Sequence, residues 1–324
     1  MKIVFITLFL IVLFLSAGCV QKENNKPQVS GMLKGVSLSP KSFQENDFQD
    51  FFVKAELAGN TVSWAGDWKE LESSNGSPIV VAELSKNYGF TPLIEATFFT
   101  QSTGQLLRPL NEENKQAYKN NAVAFAEKYK PEYLGFGIEV NVLFEKSPKD
   151  FEDFVLFYNE VFDTVKEKSP NTKVFTVFQL EKMKGLSFWQ DGKQDNSKTE
   201  WFLIDKFKSD VTAFTTYPGL VYKNPKDIPE NYYNEIKNYT SKHIAFTEIG
   251  WHSKASPAGW ESSETEQAEF IETFFALTKE LDKELIVWSF LFDQKTIEPF
   301  DSMGLIDDKG RNKEGWSAWI EEGK

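Results

Sequence analysis

Cysteine and histidine are scarce in this sequence. Its 324 residues contain one cysteine, Cys19, and two histidines, His243 and His252. A single cysteine excludes an intrachain disulfide and a metal cluster ligated by thiolates. Two histidines are too few for a zinc site built from histidine, and a Ser-His-Asp triad would have to use one of them.

Positive charge is also in short supply. The chain has 36 Lys and Arg against 48 Asp and Glu, a net charge of −12. This balance argues against nucleic acid or an anionic membrane as an electrostatic partner. Aromatic residues are plentiful, with 30 Phe, 10 Tyr and 9 Trp. Most of them must form the core, but tryptophans are also candidates for stacking on the apolar face of a sugar ring.

The N-terminus has the features of an export signal. Lys2 precedes an apolar run over residues 3–15, which fits a signal peptide and is shorter than the roughly 20 residues of a membrane-spanning helix. The run leads into L-S-A-G-C, which resembles a prokaryotic lipobox, and Cys19 occupies its last position. We expect lipid attachment at Cys19. A simple secretory signal or an uncleaved anchor is the alternative.

These features divide the chain into three parts. Residues 1–18 are predicted to be a lipoprotein signal peptide, and residues 19–30 a polar, lipid-anchored tether. Residues 31–324 are predicted to form the folded domain. We therefore expect an extracytoplasmic protein that reaches the membrane only through its lipid.

The folded part alternates short apolar runs with segments of helical character. Strands are predicted over residues 34–40, 60–68, 91–99, 133–141, 173–180, 211–218, 243–251 and 285–293. Helices are predicted over residues 77–87, 111–129, 147–168, 201–207, 229–239, 263–281 and 316–320. Near-continuous apolar strands separated by helices predict an α/β fold, a single (β/α)8 TIM barrel. A doubly wound open sheet is the main alternative, but the first strand lacks its glycine-rich phosphate turn.

Two predicted strands end on a glutamate. Strand four ends in Y-L-G-F-G-I-E-V-N at residues 133–141, and strand seven in H-I-A-F-T-E-I-G-W at residues 243–251. A buried, unpaired carboxylate is costly, so an acid at the mouth of an apolar strand usually has a partner or a task. In a barrel, Glu139 and Glu248 would face each other across the carboxyl ends of the strands. Two such carboxyls about 5–5.5 Å apart are what a retaining glycosidase needs.

Other polar and aromatic side chains lie near the ends of the predicted strands. As substrate-binding candidates we take Trp64, Asp67, Glu95, Asn141, Gln179, Tyr217, Trp251, His252 and Trp288. Each has a structural alternative, as a core aromatic, a turn residue or a paired buried acid. Glu248 could likewise be a structural acid paired with a lysine or arginine.

The motifs resemble those of clan A glycoside hydrolases, which are retaining TIM-barrel enzymes. The sequence G-I-E-V-N at residues 137–141 is similar to the G-N-E-I-N acid/base motif of family 53 endo-β-1,4-galactanases, and F-T-E-I-G-W at residues 246–251 to a nucleophile strand. The resemblance implies that Glu139 is the acid/base and Glu248 the nucleophile. It also implies that Tyr217 hydrogen-bonds the nucleophile and that Trp288 forms a sugar platform.

One position departs from the clan pattern. Ile138 stands where the clan usually has an asparagine that binds the sugar 2-hydroxyl. Glu95 or Gln179 could take over this contact, the substrate could differ, or activity could be lost. The sequence therefore predicts a retaining glycosidase without metal or cofactor, acting as a monomer on a β-linked polysaccharide or oligosaccharide. The alternative is a non-catalytic carbohydrate-binding lipoprotein on a degenerate barrel.

Overall fold

The computed structural model describes residues 31–73 and 75–322. The predicted signal peptide, Cys19 and the tether lie outside these residues. The described strands are β1 Leu33–Ser37, β2 Thr61–Asp67, β3 Thr91–Thr97, β4 Tyr133–Phe136, β5 Lys173–Phe175, β6 Val177–Gln179, β7 Thr212–Thr216, β8 Ile244–Ile249 and β9 Lys283–Trp288. They form one sheet in which every pairing is parallel.

The sheet curves into a barrel with eight strand positions. β1 pairs with both β2 and β9, which joins the first and last strands. β5 and β6 are two segments of one strand position, interrupted at Thr176, because β5 pairs with β4 while β6 pairs with β7. The main-chain N–H of Val177 donates to the carbonyl of Gly137 at 3.1 Å across the interruption. The predicted (β/α)8 architecture is confirmed.

Helices connect the strands on the outside of the barrel. They are α1 Glu45–Ala58, α2 Ser77–Tyr88, α3 Glu112–Tyr129, α4 Val140–Lys146, α5 Pro148–Lys168, α6 Leu180–Met183, α7 Glu264–Thr278 and α8 Glu314–Glu321. The predicted helices near residues 201–207 and 229–239 are the 3-10 turns Trp201–Lys206 and Asn234–Asn238. α7 begins after a capping residue, because the Ser263 hydroxyl accepts the main-chain N–H of Glu266. None of the described helices is long and apolar enough to cross a bilayer.

The predicted fourth strand is shorter than expected. β4 ends at Phe136 because the next residues leave the extended conformation, with φ of 83° at Gly137 and 57° at Glu139. Asn141 then lies in α4 instead of at a strand end. This kink places Glu139 at the start of a helix, directly above the barrel.

The apolar residues form a core on both sides of the sheet. One cluster fills the barrel interior and includes Leu93, Ile138, Phe175 and Val287. A much larger cluster lies between the strands and the surrounding helices. Because the strands are buried on both faces, they read as continuous apolar runs in the sequence.

Candidate active site

A cavity of about 990 Å³ opens at the carboxyl ends of the strands. Glu139 and Glu248 both line it, as do hydroxyl, amide and aromatic side chains from the strand ends and loops. Its aromatic wall is made by Phe43, Trp64, Phe188, Trp189, Tyr217, Phe290 and Phe300. This mixture of apolar rings and a few polar groups is typical of sites that bind small molecules and sugars.

Glu139 is held in a buried position at the floor of the cavity. Its side chain is 5% exposed, and its Oε1 accepts a hydrogen bond of 2.7 Å from the Thr215 hydroxyl. Burial, followed by the negative charge of Glu248, raises the pKa of Glu139 to about 7, although hydrogen bonds from Thr215 and Gln101 act in the opposite direction. At neutral pH a large fraction of Glu139 therefore carries a proton.

Glu248 accepts two hydrogen bonds on one oxygen. The Tyr217 hydroxyl donates to Glu248 Oε2 at 2.6 Å, and the Gln101 amide donates to the same atom at 3.2 Å. Burial raises the pKa of Glu248, and these two donors lower it because they stabilise the charged form. Tyr217 remains neutral because burial raises its own pKa well above the usual value.

A bulge in β8 turns Glu248 towards the cavity. Phe214 of β7 pairs with Phe246 of β8, but the next residue, Thr215, pairs with Glu248. Thr247 is thus an extra residue in β8, and the alternation of side chains between the two faces reverses there. Without this bulge, regular alternation would direct Thr247 and not Glu248 to the inner face.

The pairing also explains why the two glutamates interact. Thr215 is the register partner of Glu248, and its hydroxyl binds Glu139. Neighbouring strands lie about 4.8 Å apart, so Thr215 brings Glu139 close to Glu248. The Gln101 side chain donates to Glu248 and lies near enough to Glu139 to lower its pKa. Glu139 and Glu248 therefore form one electrostatically linked pair, in which the charge of Glu248 raises the pKa of Glu139.

Tyr217 is itself held by a buried network. Glu181, fully buried, accepts the main-chain N–H of Tyr217 at 3.0 Å and the hydroxyl of Tyr232 at 2.9 Å. On the other side, the Ser289 hydroxyl lies 2.8 Å from the Tyr217 hydroxyl and also bonds the carbonyl of Ile249. These contacts hold the main chain and the hydroxyl of Tyr217 in place beside Glu248.

Among the predicted substrate-binding residues, three line the cavity. They are Trp64, Gln179 and Tyr217. Trp64 is only 5% exposed, so little of its ring is available to a ligand. Gln179 is also 5% exposed, and its buried side-chain oxygen has no hydrogen-bond partner in the described part of the chain.

Glu95 lies below the cavity, inside the barrel. It is 1% exposed, and neither of its carboxyl oxygens has a hydrogen-bond partner among the described residues. Burial, followed by the charge of Glu248, raises its pKa well above the usual value, and the nearby Thr247 hydroxyl offsets this only in part. Glu95 is thus a neutral acid beneath Glu248 and does not line the ligand space.

Asp67 and Asn141 have structural partners instead of facing the cavity. Asp67 makes a two-pronged salt bridge with Arg108, with both distances 2.7 Å, and caps the turn that follows β2. Asn141 is fully buried, donates to Glu200 at 2.7 Å and accepts the main-chain N–H of Gln179. Neither side chain lines the cavity.

Trp251, His252 and Trp288 also lie outside the cavity lining. Trp251 stacks on Phe270 of α7, and both ring nitrogens of His252 face main-chain carbonyls. Trp288 is fully buried, and its indole N–H donates to the Met303 carbonyl at 2.8 Å. This placement does not match the expected role of Trp288 as a sugar platform. The Trp288 side chain points away from the barrel axis into the outer core.

The sequence reasoning missed several cavity residues. Gln101 and Ser289 contact the Glu248–Tyr217 pair directly, while Trp189, Phe290 and Phe300 supply aromatic surface. Only Ser289 and Phe290 belong to a predicted strand; the others follow strands in loops whose composition resembles that of other loops in the chain. No regular spacing could have identified them.

The polar groups are not arranged to hold a metal. Within residues 31–73 and 75–322, no three His, Cys, Asp or Glu side chains cluster in a way that would ligate an ion. The site as described consists of carboxyl, amide, hydroxyl and aromatic groups.

Comparison with known proteins gives a result at the level of fold. The chain matches no protein-family profile and no curated protein sequence. Its structure is similar to a family 39 glycoside hydrolase from Bacteroides cellulosilyticus WH2, with a TM-score of 0.61 and 17% identity over 88% of this chain and 62% of the other. It is also similar to the exo-β-1,4-mannosidase Op5Man5 from Opitutaceae bacterium strain TAV5, with a TM-score of 0.61 and 15% identity over 89% of this chain and 58% of the other.

A third similar structure is a β-galacturonidase from Eisenbergiella tayi, with a TM-score of 0.58 and 17% identity over 89% of this chain and 50% of the other. The chain thus spans between half and two thirds of the length of these three proteins. At such identities the similarity establishes the shared barrel and leaves the chemistry to be argued from the site.

Proposed function

We propose that this protein is a retaining glycoside hydrolase that cleaves β-glycosidic bonds of a polysaccharide or oligosaccharide. The observation that carries the proposal is the linked pair of carboxyls, Glu139 and Glu248, at the carboxyl end of the barrel. Their hydrogen bonds differ in a way that suits two different roles. The fold shared with several glycosidases is consistent with this proposal.

In the first step Glu248 would attack the anomeric carbon. The attack forms a carbon–oxygen bond to the enzyme and breaks the bond to the leaving oxygen, which takes the proton of Glu139. Burial and the charge of Glu248 keep that proton on Glu139 near neutral pH. Tyr217 and Gln101 keep Glu248 ionised, as a nucleophile must be.

In the second step Glu139, now a carboxylate, would take a proton from water. The water oxygen attacks the anomeric carbon, and the bond to Glu248 breaks with retention of configuration. Once Glu248 has become an ester its charge is gone, so one cause of the raised pKa of Glu139 is removed, its pKa falls and it stays in the carboxylate form. It then acts as the base.

A second candidate function is that of a carbohydrate-binding protein without turnover. Ile138 favours it, since the group that the clan uses for the sugar 2-hydroxyl is absent from this position and the Ile138 side chain lies in the barrel interior. Two neighbouring buried carboxyls, each with its own hydroxyl donor, favour the enzyme, because binding alone does not require such a pair of acids.

The test is hydrolysis of a panel of β-linked polysaccharides and aryl β-glycosides by the purified full chain. The panel includes β-1,4-galactan, because the motifs resemble those of family 53. We expect product from at least one substrate, and no product from Glu248→Gln. Glu261→Gln, at an exposed carboxyl outside the cavity lining, is the matched control. Binding without product in the wild-type protein would support the binding function instead.

We also propose that the mature protein is anchored by a lipid on Cys19 and works outside the cytoplasm as a monomer. The sequence pattern at residues 15–19 supports the lipid. Expressed in a bacterium, the protein should partition into the detergent phase of a temperature-separated extract. The Cys19→Ala variant should move to the aqueous phase; equal partitioning of the two would exclude the lipid.

A further inference from the structure

Gln101 occupies a central place between the two carboxyls. Its side-chain amide donates to Glu248 Oε2 at 3.2 Å and lies near enough to Glu139 to lower its pKa. It lines the cavity and is partly exposed to it. A ligand atom near both carboxyls therefore lies within reach of this amide.

The loop that carries Gln101 is closed by its own main-chain hydrogen bonds and packs against α4. The bonds run from Thr100 to Gln105 and from Gly104 to Thr100, both 2.8 Å. Gly104 lies so close to α4 that a Cβ there would come within 2.9 Å of the Val142 carbonyl. The helix that begins after Glu139 thus supports the loop that positions Gln101.

The position before Glu139 cannot supply a polar contact. Ile138 is 2% exposed and packs with Leu93 and Phe175 inside the barrel. The left-handed conformations of Gly137 and Glu139 direct neighbouring side chains to different regions, so Glu139 faces the cavity while Ile138 faces the core. Even an asparagine at position 138 would need a change of backbone to reach the cavity from this conformation.

The two residues that the sequence suggested as substitutes are less well placed. Glu95 is sealed beneath the cavity floor and is not part of its lining. Gln179 lines the cavity, but no hydrogen bond joins its side chain to Glu139 or Glu248 in the described structure. The Gln101 amide, in contrast, donates directly to Glu248.

We infer that Gln101 is the residue that binds the sugar hydroxyl next to the anomeric carbon, the contact that Ile138 leaves open. This inference rests on the proposed function. In a retaining mechanism the anomeric carbon lies against Glu248, which places the 2-hydroxyl beside the nucleophile oxygens. An amide that already touches Glu248 Oε2 is suited to donate to that hydroxyl, or to accept from it through its oxygen.

The contact also gives a role to the hydrogen bond between Gln101 and Glu248. The amide donates to Glu248 Oε2. As Glu248 turns into an ester it loses charge and becomes a poorer acceptor, so the amide transfers its hydrogen bond to the sugar. The interaction with the 2-hydroxyl therefore strengthens as the transition state forms, which is where it accelerates the reaction.

The test compares a substrate from the panel with its 2-deoxy analogue, each with an activated leaving group. Wild-type protein should prefer the hydroxylated substrate in kcat/KM, and Gln101→Ala should reduce that preference by about 10- to 100-fold. The matched control is Gln105→Ala, an exposed glutamine in the same loop that does not line the cavity. It should keep the preference of the wild-type protein.

The possible results separate this inference from the proposed function. A preference for the 2-hydroxyl that is equal in wild-type protein and Gln101→Ala would leave the glycosidase in place and overturn the role of Gln101. Loss of the preference in Gln179→Ala but not in Gln101→Ala would assign the contact to Gln179 and would also overturn the role of Gln101. If no substrate is hydrolysed at all, the proposed function and this inference fall together.

Discussion

At the scale of single residues, the site depends on how hydrogen bonds set the pKa of two neighbouring acids. Burial raises the pKa of both Glu139 and Glu248, so burial alone would not distinguish them. The difference comes from Tyr217 and Gln101, which both donate to Glu248 Oε2. Changing these donors should therefore change which acid is charged.

Removal of the Tyr217 hydroxyl should impair the nucleophile. In Tyr217→Phe the ring remains against Phe300, but Glu248 loses a donor 2.6 Å away. We expect kcat/KM to fall by about 10- to 100-fold, since a hydrogen bond to a charged group is worth about 1.5–3 kcal/mol. The acidic limb of the pH profile should move to higher pH, because the charged form of Glu248 is less stabilised. An unchanged acidic limb would contradict the assignment of Glu248 as nucleophile.

Glu139 should set the alkaline limb of activity. Its pKa is raised to about 7 by burial and by the charge of Glu248, and the acid must be protonated in the first step. Activity on substrates with poor leaving groups should therefore decline above about pH 7. In Glu139→Gln this limb should disappear and kcat should drop by about 10²–10⁴-fold, with a much smaller loss for dinitrophenyl glycosides, which need no acid.

Glu95 should influence stability more than catalysis. Its folded-state pKa is raised well above the usual value of 4.5, so the folded protein retains a proton that the unfolded chain loses. Its contribution to stability is present in full below the unfolded pKa and is lost as the pH rises towards the folded pKa, with a slope of up to about 1.4 kcal/mol per pH unit. Glu95→Gln should remove this slope.

The measurement for Glu95 is urea unfolding at about pH 5 and about pH 7. The difference in the free energy of unfolding between these two pH values reports this slope. The wild-type protein should lose more stability between them than Glu95→Gln does. Glu261→Gln, at an exposed carboxyl, should behave like wild type. Parallel pH dependence in all three proteins would show that Glu95 is charged in the folded state.

At the scale of elements, irregular backbone places both glutamates. The bulge at Thr247 turns Glu248 inward, and the left-handed residues after β4 direct Glu139 into the cavity. The sequence predicted both strands, because their apolar runs are clear. It did not predict the bulge or the kink, since a bulge needs only one extra residue and Glu139 itself adopts a conformation that non-glycine residues rarely take.

Gly137 should be required for the kink after β4. Its φ is 83°, and a Cβ at this position would lie 3.0 Å from the ring of Phe154. Gly137→Ala should lower the free energy of unfolding by about 1–3 kcal/mol and reduce activity further by displacing Glu139. Gly259→Ala is the matched control, because that glycine also has positive φ but a Cβ there meets nothing within 4 Å. Equal losses of activity in the two variants would show that the kink does not position Glu139.

The helix α1 shows another limit of prediction at this scale. Its first residue follows Gln44, whose side chain makes no capping bond, so the usual start signal is missing. Val53 and Leu57 on this helix are exposed by 55% and 62%. Apolar residues on the outer face blur the stripe from which an amphipathic helix is recognised.

At the scale of the whole molecule, the order of eight strands was predictable and the direction of individual side chains was not. Parallel strands buried on both faces give continuous apolar runs, which identify the strands but hide which residues face the axis. Trp288 is an example: it pairs in register with Val36 and Ile249, and all three belong to the outer core. The neighbouring Val287 and Ser289 face the barrel interior and the cavity.

The central claim is that Glu248 forms a covalent bond to a sugar, and intact-protein mass spectrometry tests it most directly. The full chain is incubated with a panel of 2-deoxy-2-fluoro β-glycosides that carry good leaving groups. The fluorine slows both steps and the leaving group speeds the first, so hydrolysis of the intermediate is slowed more than its formation. We predict a mass increase of one fluoroglycosyl unit, located by proteolysis on the peptide that contains Glu248, and no increase in Glu248→Gln. Labelling that persists in Glu248→Gln, or hydrolysis of a natural substrate with inversion of configuration, would contradict the account.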